Sequence, residues 1–272
     1  MKKYKFDNVV AETLLIPLYA RALESKRDDG ILKDTMAQQL IDQIDYDYSL
    51  IARSPRSEVG CVVRGAYFDT KVREFIVQYP DAVCINIGCG LDTRFQRLGS
   101  PEGITYYDVD LPMVMEIRRE LIPTQENNHY IAGSILEHDW MDTIKATHPN
   151  GHFIILIEGV LMYFTEGQVK QILHDVAERF AGGELWIDAC GSFVANGKFK
   201  PDSLRKHKAE LRSGITHGED VELWEPRLAM IEQVSYPRFH LHRWDAFMRF
   251  FSRLPERWSF HFSSMMGYRI ID

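Results

Sequence analysis

The feature that most constrains the fold is a short apolar run that ends in a Gly-x-Gly turn. The run is Val83–Ile87, and Gly88 and Gly90 follow it directly. Continuous apolar composition with β-branched residues is typical of a parallel strand that is buried on both faces. Because glycine has no Cβ, a ligand can approach the backbone closely at such a turn. Ligands of open α/β sheets bind at the carboxyl ends of the strands, so the sequence predicts a ligand site at these two glycines.

Two further strand patterns indicate what the ligand is. The full dinucleotide-binding motif requires a third glycine where Thr93 stands, so that motif is absent. The strand pattern from Ile104 ends at Asp110, about 20 residues after the turn, where an acid can accept hydrogen bonds from ribose hydroxyls. A third run, Phe153–Ile157, ends at Glu158. A ribose-binding acid and an acid-tipped strand, without a phosphate fingerprint, indicate S-adenosylmethionine, which carries ribose and adenine but no phosphate.

Five motifs carry a resemblance to a known family. Residues 86–98 read NIGCGLDTRFQRL, residues 106–112 read YYDVDLP and residues 157–164 read IEGVLMYF. These motifs resemble the leucine carboxyl methyltransferase family. LLIPLYARALES at residues 14–25 and VVRGAYFD at residues 62–69 are similar to its bacterial branch of polyketide-synthesis O-methyltransferases. The resemblance extends over most of the chain and implies a class I methyltransferase that depends on S-adenosylmethionine.

The alternation of strand and helix patterns predicts a doubly wound α/β fold. The resemblance implies its class I methyltransferase (Rossmann-like) form, with a mostly parallel seven-stranded sheet and a helical cap. We expect a single methyltransferase domain, residues 1–272, whose parts are a helical cap (1–57), a cofactor-binding core (58–190), a lid or substrate segment (191–218) and the C-terminal part of the sheet (219–272). The last pattern, Trp258–Ile271, predicts a strand or hairpin at the edge of the sheet.

The resemblance also implies roles for residues around the cofactor. Arg64, which on sequence alone is more simply a solvated arginine, corresponds to an arginine that holds the methionyl carboxylate, a task suited to a planar bidentate donor. Asp110 aligns with the ribose ligand, and Asp108 is expected to support it. Near the position of Ser134, leucine carboxyl enzymes carry an aspartate that reads the adenine amino group. Ser134 departs from this, but a hydroxyl can also accept from an amine, so we expect Ser134 to contact the adenine. We expect Glu158 to accept from the cofactor's ammonium group and to offset the charge of its sulfonium.

The methyl acceptor is predicted to be a small molecule that is methylated on oxygen. A carboxylate is already anionic at neutral pH, whereas a phenol needs a base. The segment after strand four offers Tyr163 but no histidine or lysine, and the resemblance implies esterification, so we expect carboxyl methylation with Tyr163 orienting the acceptor. A core packing role for Tyr163 is an equally good interpretation. His217, His240 and His242 are the candidate bases for a phenol.

Two alternatives fit the same motifs. One is methylation of a protein's terminal carboxylate, and the other is a nucleotide-binding module without turnover. The net charge of −7 disfavours nucleic acid and anionic membranes as partners. The four cysteines form no Cys-x-x-Cys pair, which is typical of a reduced, cytoplasmic protein.

Two polar pairs have simpler interpretations than ligand binding. His240 and His242 alternate along the chain, but no neighbouring carboxylate or cysteine completes a metal site. We therefore predict no metal and an activity that survives chelators. Asp92 and Arg94 are expected to form a helix cap and a local ion pair.

Overall fold

The computed structural model describes residues 2–4, 9–52, 54–204 and 209–272, and at its centre lies a seven-stranded sheet. The strands in chain order are β1 (Val83–Ile87), β2 (Thr105–Asp110), β3 (Asn128–Ala132), β4 (Phe153–Ile157), β5 (Glu184–Cys190), β6 (Leu228–Ser235) and β7 (Ser263–Ile270). Their order across the sheet is β3-β2-β1-β4-β5-β7-β6. β1 to β5 run parallel, and β7 pairs antiparallel with both β5 and β6. The predicted doubly wound, mostly parallel sheet is confirmed.

Helices connect the strands. In the described part of the chain the α-helices are α1 (Val9–Glu12), α2 (Leu15–Glu24), α3 (Thr35–Gln43), α4 (Pro55–Gln78), α5 (Arg94–Arg97), α6 (Pro112–Leu121), α7 (Asp139–Thr147), α8 (Glu166–Arg179), α9 (Ser192–Ala195), α10 (Glu219–Trp224), α11 (Ala246–Phe251) and α12 (Glu256–Ser259). Short 3₁₀ turns lie at Tyr48–Leu50, Leu161–Tyr163, Asp202–Leu204, Tyr236–Arg238 and Leu241–Arg243.

The position of the last strand differs from the prediction. The pattern in Trp258–Ile271 predicts an edge strand or hairpin, but β7 lies inside the sheet and β6 forms the edge. β7 is almost fully buried, and Trp258 belongs to the short helix α12 that precedes it. A local sequence pattern predicts that a strand forms, but it does not predict which strands pair with it, because the pairing joins distant parts of the chain.

Helices cover both faces of the sheet because successive residues of a strand point to opposite faces. Ile154 of β4 packs in a cluster with Phe68 and Val72 of α4. Its neighbour Ile155 packs in a second cluster with Leu173 of α8. This is why β1 and β4 are apolar without alternation and buried at every position.

Local signals place several helix ends. Thr165 and Gln168 form a capping box at the start of α8. Asp245 accepts from the backbone N–H of Met248 and so starts α11 at Ala246.

The N-terminal helices and the segment after β5 cover the carboxyl ends of the parallel strands. α2 and α3 form an apolar cluster, and Leu91 of the turn after β1 packs into it. On the opposite side, Val194 of α9 clusters with Met162 and Phe199. We refer below to α1–α3 as the cap and to residues 191–218 as the lid segment. None of the described helices has the length and apolar character that a membrane crossing requires.

Candidate active site

A cavity of about 680 Å³ lies at the carboxyl ends of β1, β2, β4 and β5, beneath the cap. Small-molecule sites in proteins typically measure roughly 300–1,000 Å³. The residues expected to hold the cofactor or to orient the acceptor lie on its wall: Arg64, Gly88, Gly90, Asp110, Ser134, Glu158 and Tyr163. The described part of the lid segment also contributes to this wall. The fold therefore gathers these widely separated residues around one space.

The Gly-x-Gly turn forms part of the cavity wall. Gly88 and Gly90 have φ angles of +69° and +49°, which residues with a side chain rarely adopt. A Cβ built on Gly88 would lie 2.3 Å from Cγ2 of Val160, which also lines the cavity. The turn thus presents backbone rather than side chains to a ligand.

Asp108 and Asp110 end β2 but have different surroundings. Asp110 lies on the wall, where its Oδ2 accepts from the backbone N–H of Gly90 at 2.7 Å. Burial raises the pKa of Asp110, and hydrogen bonds from backbone N–H groups oppose this. Asp108 is buried and accepts from Nη2 of Arg118 at 2.7 Å. Since Arg118 also donates to the carbonyl of Gly90, Asp108 supports the turn while Asp110 faces the ligand space.

Two arginines hold Glu158 at the end of β4. Its Oε1 accepts from Nε of Arg64 at 2.9 Å, and its Oε2 accepts from Nη2 of Arg94 at 2.5 Å. Burial alone would raise the pKa of Glu158, but the two guanidinium groups outweigh burial and hold this pKa below its usual value. The carboxylate is therefore ionised at neutral pH and fixed at the cavity wall.

Asp188, at the end of β5, positions Arg64. Its Oδ2 accepts from Nη1 of Arg64 and from the hydroxyl of Tyr236, both at 2.9 Å. Its Oδ1 accepts from the backbone N–H of Gly159. Arg64 is thus a buried, ion-paired residue and not a solvated one. Among the described residues, no acceptor engages its Nη2, which leaves that donor for a ligand.

These groups belong to a buried ionic network that runs from the cap to the cavity. Ion pairs of 2.5–3.3 Å connect four arginines with five carboxylates: Arg21, Arg64, Arg94, Arg97, Asp34, Asp69, Asp92, Glu158 and Asp188. None of these side chains is more than 13% exposed. The predicted local pair of Asp92 and Arg94 exists at 3.0 Å, but it is one link of this larger set. Because the carboxylates outnumber the arginines by one, the network favours a cationic ligand group beside it.

Ser134 and Tyr163 reach the cavity from the loops after β3 and β4. The Oγ of Ser134 accepts from the backbone N–H of Leu136 at 3.2 Å, and a hydroxyl oxygen has a second lone pair for an adenine amino group. Burial raises the pKa of Tyr163 to about 12. Its hydroxyl is therefore protonated at neutral pH and can donate a hydrogen bond. The roles of both residues stay predictions.

The three candidate histidines are not among the described residues that line the cavity. The ring of His217 lies against His261, and the rings of His240 and His242 are 6.3 Å apart. Within the described ranges, no three histidine, cysteine, aspartate or glutamate side chains are grouped to hold a metal ion.

Sequence reasoning missed several members of the site. Asp188 follows the apolar residues 185–187 within β5, much as Glu158 follows β4, so a similar acid-after-apolar pattern could have identified it. Tyr236, Asp69 and Asp34 carry no such signal. They enter the network through contacts with residues far away in the sequence.

Comparisons with known proteins now define the class. The family model for leucine carboxyl methyltransferase matches residues 15–177. The chain belongs to the leucine carboxyl methyltransferase family and is an S-adenosylmethionine-dependent methyltransferase.

Particular relatives agree with this assignment. The chain is 31% identical over 226 residues to the tetracenomycin polyketide synthesis O-methyltransferase of Streptomyces glaucescens, and the match covers 83% of each protein. It is 30% identical over 262 residues to an S-adenosyl-L-methionine-dependent methyltransferase of Gibberella zeae, covering 86% of each. The crystal structure of a Thermobifida fusca protein described as a methyltransferase has the same fold, with a TM-score of 0.60 at 14% identity over 93% of this chain and 94% of that one.

The residues on the wall fit S-adenosylmethionine. Asp110 presents carboxylate oxygens that suit ribose hydroxyls, and the free Nη2 of Arg64 suits a carboxylate. The excess negative charge of the network suits the sulfonium and ammonium groups. Ile135 and Val114 provide an apolar surface for the adenine ring. No part of the site requires a phosphate.

Proposed function

We propose that this methyltransferase methylates a carboxylate oxygen of a small, largely apolar acid and so forms a methyl ester. One observation carries the proposal. The described part of the cavity wall offers no group that could serve as a general base at neutral pH.

The wall contains no histidine or lysine among its described residues. Burial raises the pKa of Tyr163 to about 12 and that of Cys190 to about 12, and burial also raises the pKa of Cys61. These groups are therefore protonated near pH 7. A phenol, with a pKa near 10, would need a base that these groups do not provide, whereas a carboxylate would not.

The carboxylates on the wall are also engaged. Arginines pair with Asp92, Glu158 and Asp188. Asp110 accepts from the backbone N–H groups of Gly90 and Leu111, and Asp202 accepts from those at the start of α4. The remaining one, Glu210, is exposed in the lid segment. A mechanism without a base therefore accounts best for the wall.

The outer part of the cavity wall suits an apolar acceptor that carries an acid group. It is built largely from apolar side chains: Val194, Phe199, Leu204, Trp244, Met248 and Phe262. Arg212 lies on the same wall and is exposed. A guanidinium group suits a carboxylate partner, so Arg212 would attract the acid group of the acceptor toward the cavity.

The residues of this chain would align the cofactor with the acceptor and exclude water from both. When bound, the cofactor supplies an activated methyl group. Arg64, Asp110 and Glu158 would hold its carboxylate, ribose and ammonium groups. The protonated hydroxyl of Tyr163 would donate to one oxygen of the acceptor carboxylate and leave the other oxygen to react. Such positioning in a closed, apolar site accelerates a reaction between two bound partners without a covalent enzyme intermediate.

The relatives support oxygen as the reacting atom. The Streptomyces glaucescens relative is named as an O-methyltransferase, and the matching family model is named for carboxyl methylation. Both names agree with the chemistry that the wall favours.

The pH dependence of the rate tests the absence of a base. We expect kcat to stay nearly flat from about pH 6 to pH 8, because an acceptor carboxylate has no proton to lose in that range. The measurement is the steady-state rate with saturating S-adenosylmethionine and an apolar carboxylic acid as acceptor. Turnover of a matched apolar phenol in place of the acid, at a rate that rises about tenfold for each pH unit across the range, would instead show that the acceptor must lose a proton before it reacts.

A further inference from the structure

We propose that Arg94 positions Glu158 for cofactor binding, and that it does so from outside the cavity. The side chain of Arg94 is 1% exposed, and Arg94 is not among the described residues that line the cavity. It can therefore affect a bound cofactor only through a neighbour. Two of its partners, Asp92 and Glu158, line the cavity, and Glu158 is the one expected to bind the cofactor.

The geometry of Arg94 explains how it fixes the glutamate. Its Nε donates a hydrogen bond to Asp69 of α4 at 2.7 Å, and its Nη1 forms an ion pair, without an aligned hydrogen bond, with Asp92 of the turn after β1 at 3.0 Å. Because the guanidinium group is planar and rigid, these two contacts set the direction of Nη2. Nη2 meets Oε2 of Glu158 at 2.5 Å. One side chain thus fastens the end of β4 to both α4 and the turn after β1.

The cap is connected to Arg94 and Glu158 through further ion pairs. Asp69 and Asp92 also bind Arg97, and Arg97 pairs with Asp34 at the start of α3. Asp34 in turn pairs with Arg21 of α2 at 2.9 Å. The position of the cap is therefore coupled to the position of Glu158 through Arg94.

Arg94 also opposes protonation of Glu158. Charged and titratable groups surround this carboxylate from every neighbouring element. They are Arg94 of α5, Asp92 of the turn after β1, Cys61, Arg64 and Asp69 of α4, Asp188 of β5, and Tyr236, which donates to Asp188. Burial favours the protonated acid, and Arg94 and Arg64 are the two groups that outweigh it. Without Arg94, Arg64 acts alone against burial and against the nearby carboxylates. Glu158 should then take up a proton at higher pH than in the wild type.

Arg97 provides a matched control. It is 4% exposed, belongs to the same network, and pairs with Asp69, Asp92 and Asp34. It makes no hydrogen bond to Glu158 among the described contacts. Replacing Arg97 should therefore disturb the network to a similar degree while leaving both arginines on Glu158.

The test is calorimetric titration with S-adenosylhomocysteine, from about pH 5 to pH 8, of the wild type, Arg94→Gln and Arg97→Gln, with urea unfolding of each protein. We expect both variants to lose stability. We call the loss of affinity at low pH the acid limb of binding. Only in Arg94→Gln should this limb move to higher pH, by about one pH unit or more, and within it the affinity should be about tenfold below that of the wild type. Adding Glu158→Gln to Arg94→Gln should abolish the moved limb, which assigns it to Glu158 and not to Asp110.

Other outcomes would overturn the proposal. An acid limb of Arg94→Gln that coincides with the wild type, or a limb of Arg97→Gln that moves as far, would leave Arg94 with a structural role only. If Arg94→Gln does not fold, Arg94→Lys serves instead. A lysine keeps the charge but cannot span three carboxylates, so affinity should fall severalfold with the limb unmoved. Wild-type affinity in Arg94→Lys would contradict the proposal.

Discussion

The Gly88→Ala protein should bind S-adenosylhomocysteine at least about 100-fold more weakly than the wild type. The new Cβ would lie 2.3 Å from Cγ2 of Val160, and the φ angle of +69° is strained for any residue with a side chain. The conformational penalty is about 1–2 kcal/mol, and the overpacked contact adds about 1–3 kcal/mol. The turn or Val160 can move to relieve this strain, but both line the cavity. Calorimetric titration measures the loss.

Gly99 offers a control for the conformational penalty of a positive φ angle. Its φ angle is +87°, and a Cβ there would have no atom within 4 Å. Gly99→Ala should therefore lose stability through the same left-handed conformation while binding S-adenosylhomocysteine as the wild type does. Equal losses of affinity in the two variants would contradict a specific role for the turn at Gly88.

The second large effect concerns Arg64. Arg64→Met should lower the free energy of unfolding by about 3–5 kcal/mol, because it removes the shared partner of two buried carboxylates. Those carboxylates are Glu158 and Asp188, which are 12% and 1% exposed. It should also weaken binding of S-adenosylhomocysteine, since Nη2 is the donor left for the ligand carboxylate. Urea unfolding at neutral pH measures the loss of stability.

The same experiment has a pH signature. In the wild type Arg64 helps to hold the pKa of Glu158 below its usual value, so this stabilisation is present above the unfolded pKa and is lost as the pH falls. In Arg64→Met, Glu158 keeps only Arg94 and binds a proton more readily in the folded state than it does in the wild type, so less of this stabilisation is present at neutral pH. The stability difference between the two proteins should therefore shrink on acidification.

An exposed arginine provides the comparison. Arg238 pairs with Glu256, but its side chain is 61% exposed. Arg238→Met should change the free energy of unfolding by only about 0–1 kcal/mol. A similar value for Arg64→Met would mean that the pairs at the cavity contribute no more than a surface ion pair.

The strands around the site could be predicted from sequence because burial on both faces leaves a local pattern. β1 and β4 have the predicted bounds, and the glycines and acids at their carboxyl ends meet at one cavity, as the direction of parallel strands requires. The position of β7 was not accessible in this way. Its neighbours in the sheet are β5 and β6, and nothing within its own residues specifies them.

The ionic network shows the same limit at the level of side chains. Arg94 and Glu158 are 64 positions apart, and Arg64 and Asp188 are 124 positions apart. Charged residues in a sequence are usually solvated, so Arg94 alone predicted a local ion pair. The fold reverses that expectation because it buries the charges together, where each compensates another. Residues on the cavity wall could thus be named in advance, but most of the arginines and acids that hold them in place could not.

The proposal of carboxyl methylation is tested most directly by the chemistry of the product. The protein is incubated with S-adenosylmethionine that carries a labelled methyl group and with an apolar acceptor that has both a carboxyl group and a phenolic hydroxyl group, and the purified product is treated with mild alkali. A methyl ester hydrolyses and releases labelled methanol, whereas an aryl methyl ether does not. We expect labelled methanol in an amount equal to the label incorporated. A labelled product that survives alkali unchanged would contradict carboxyl methylation.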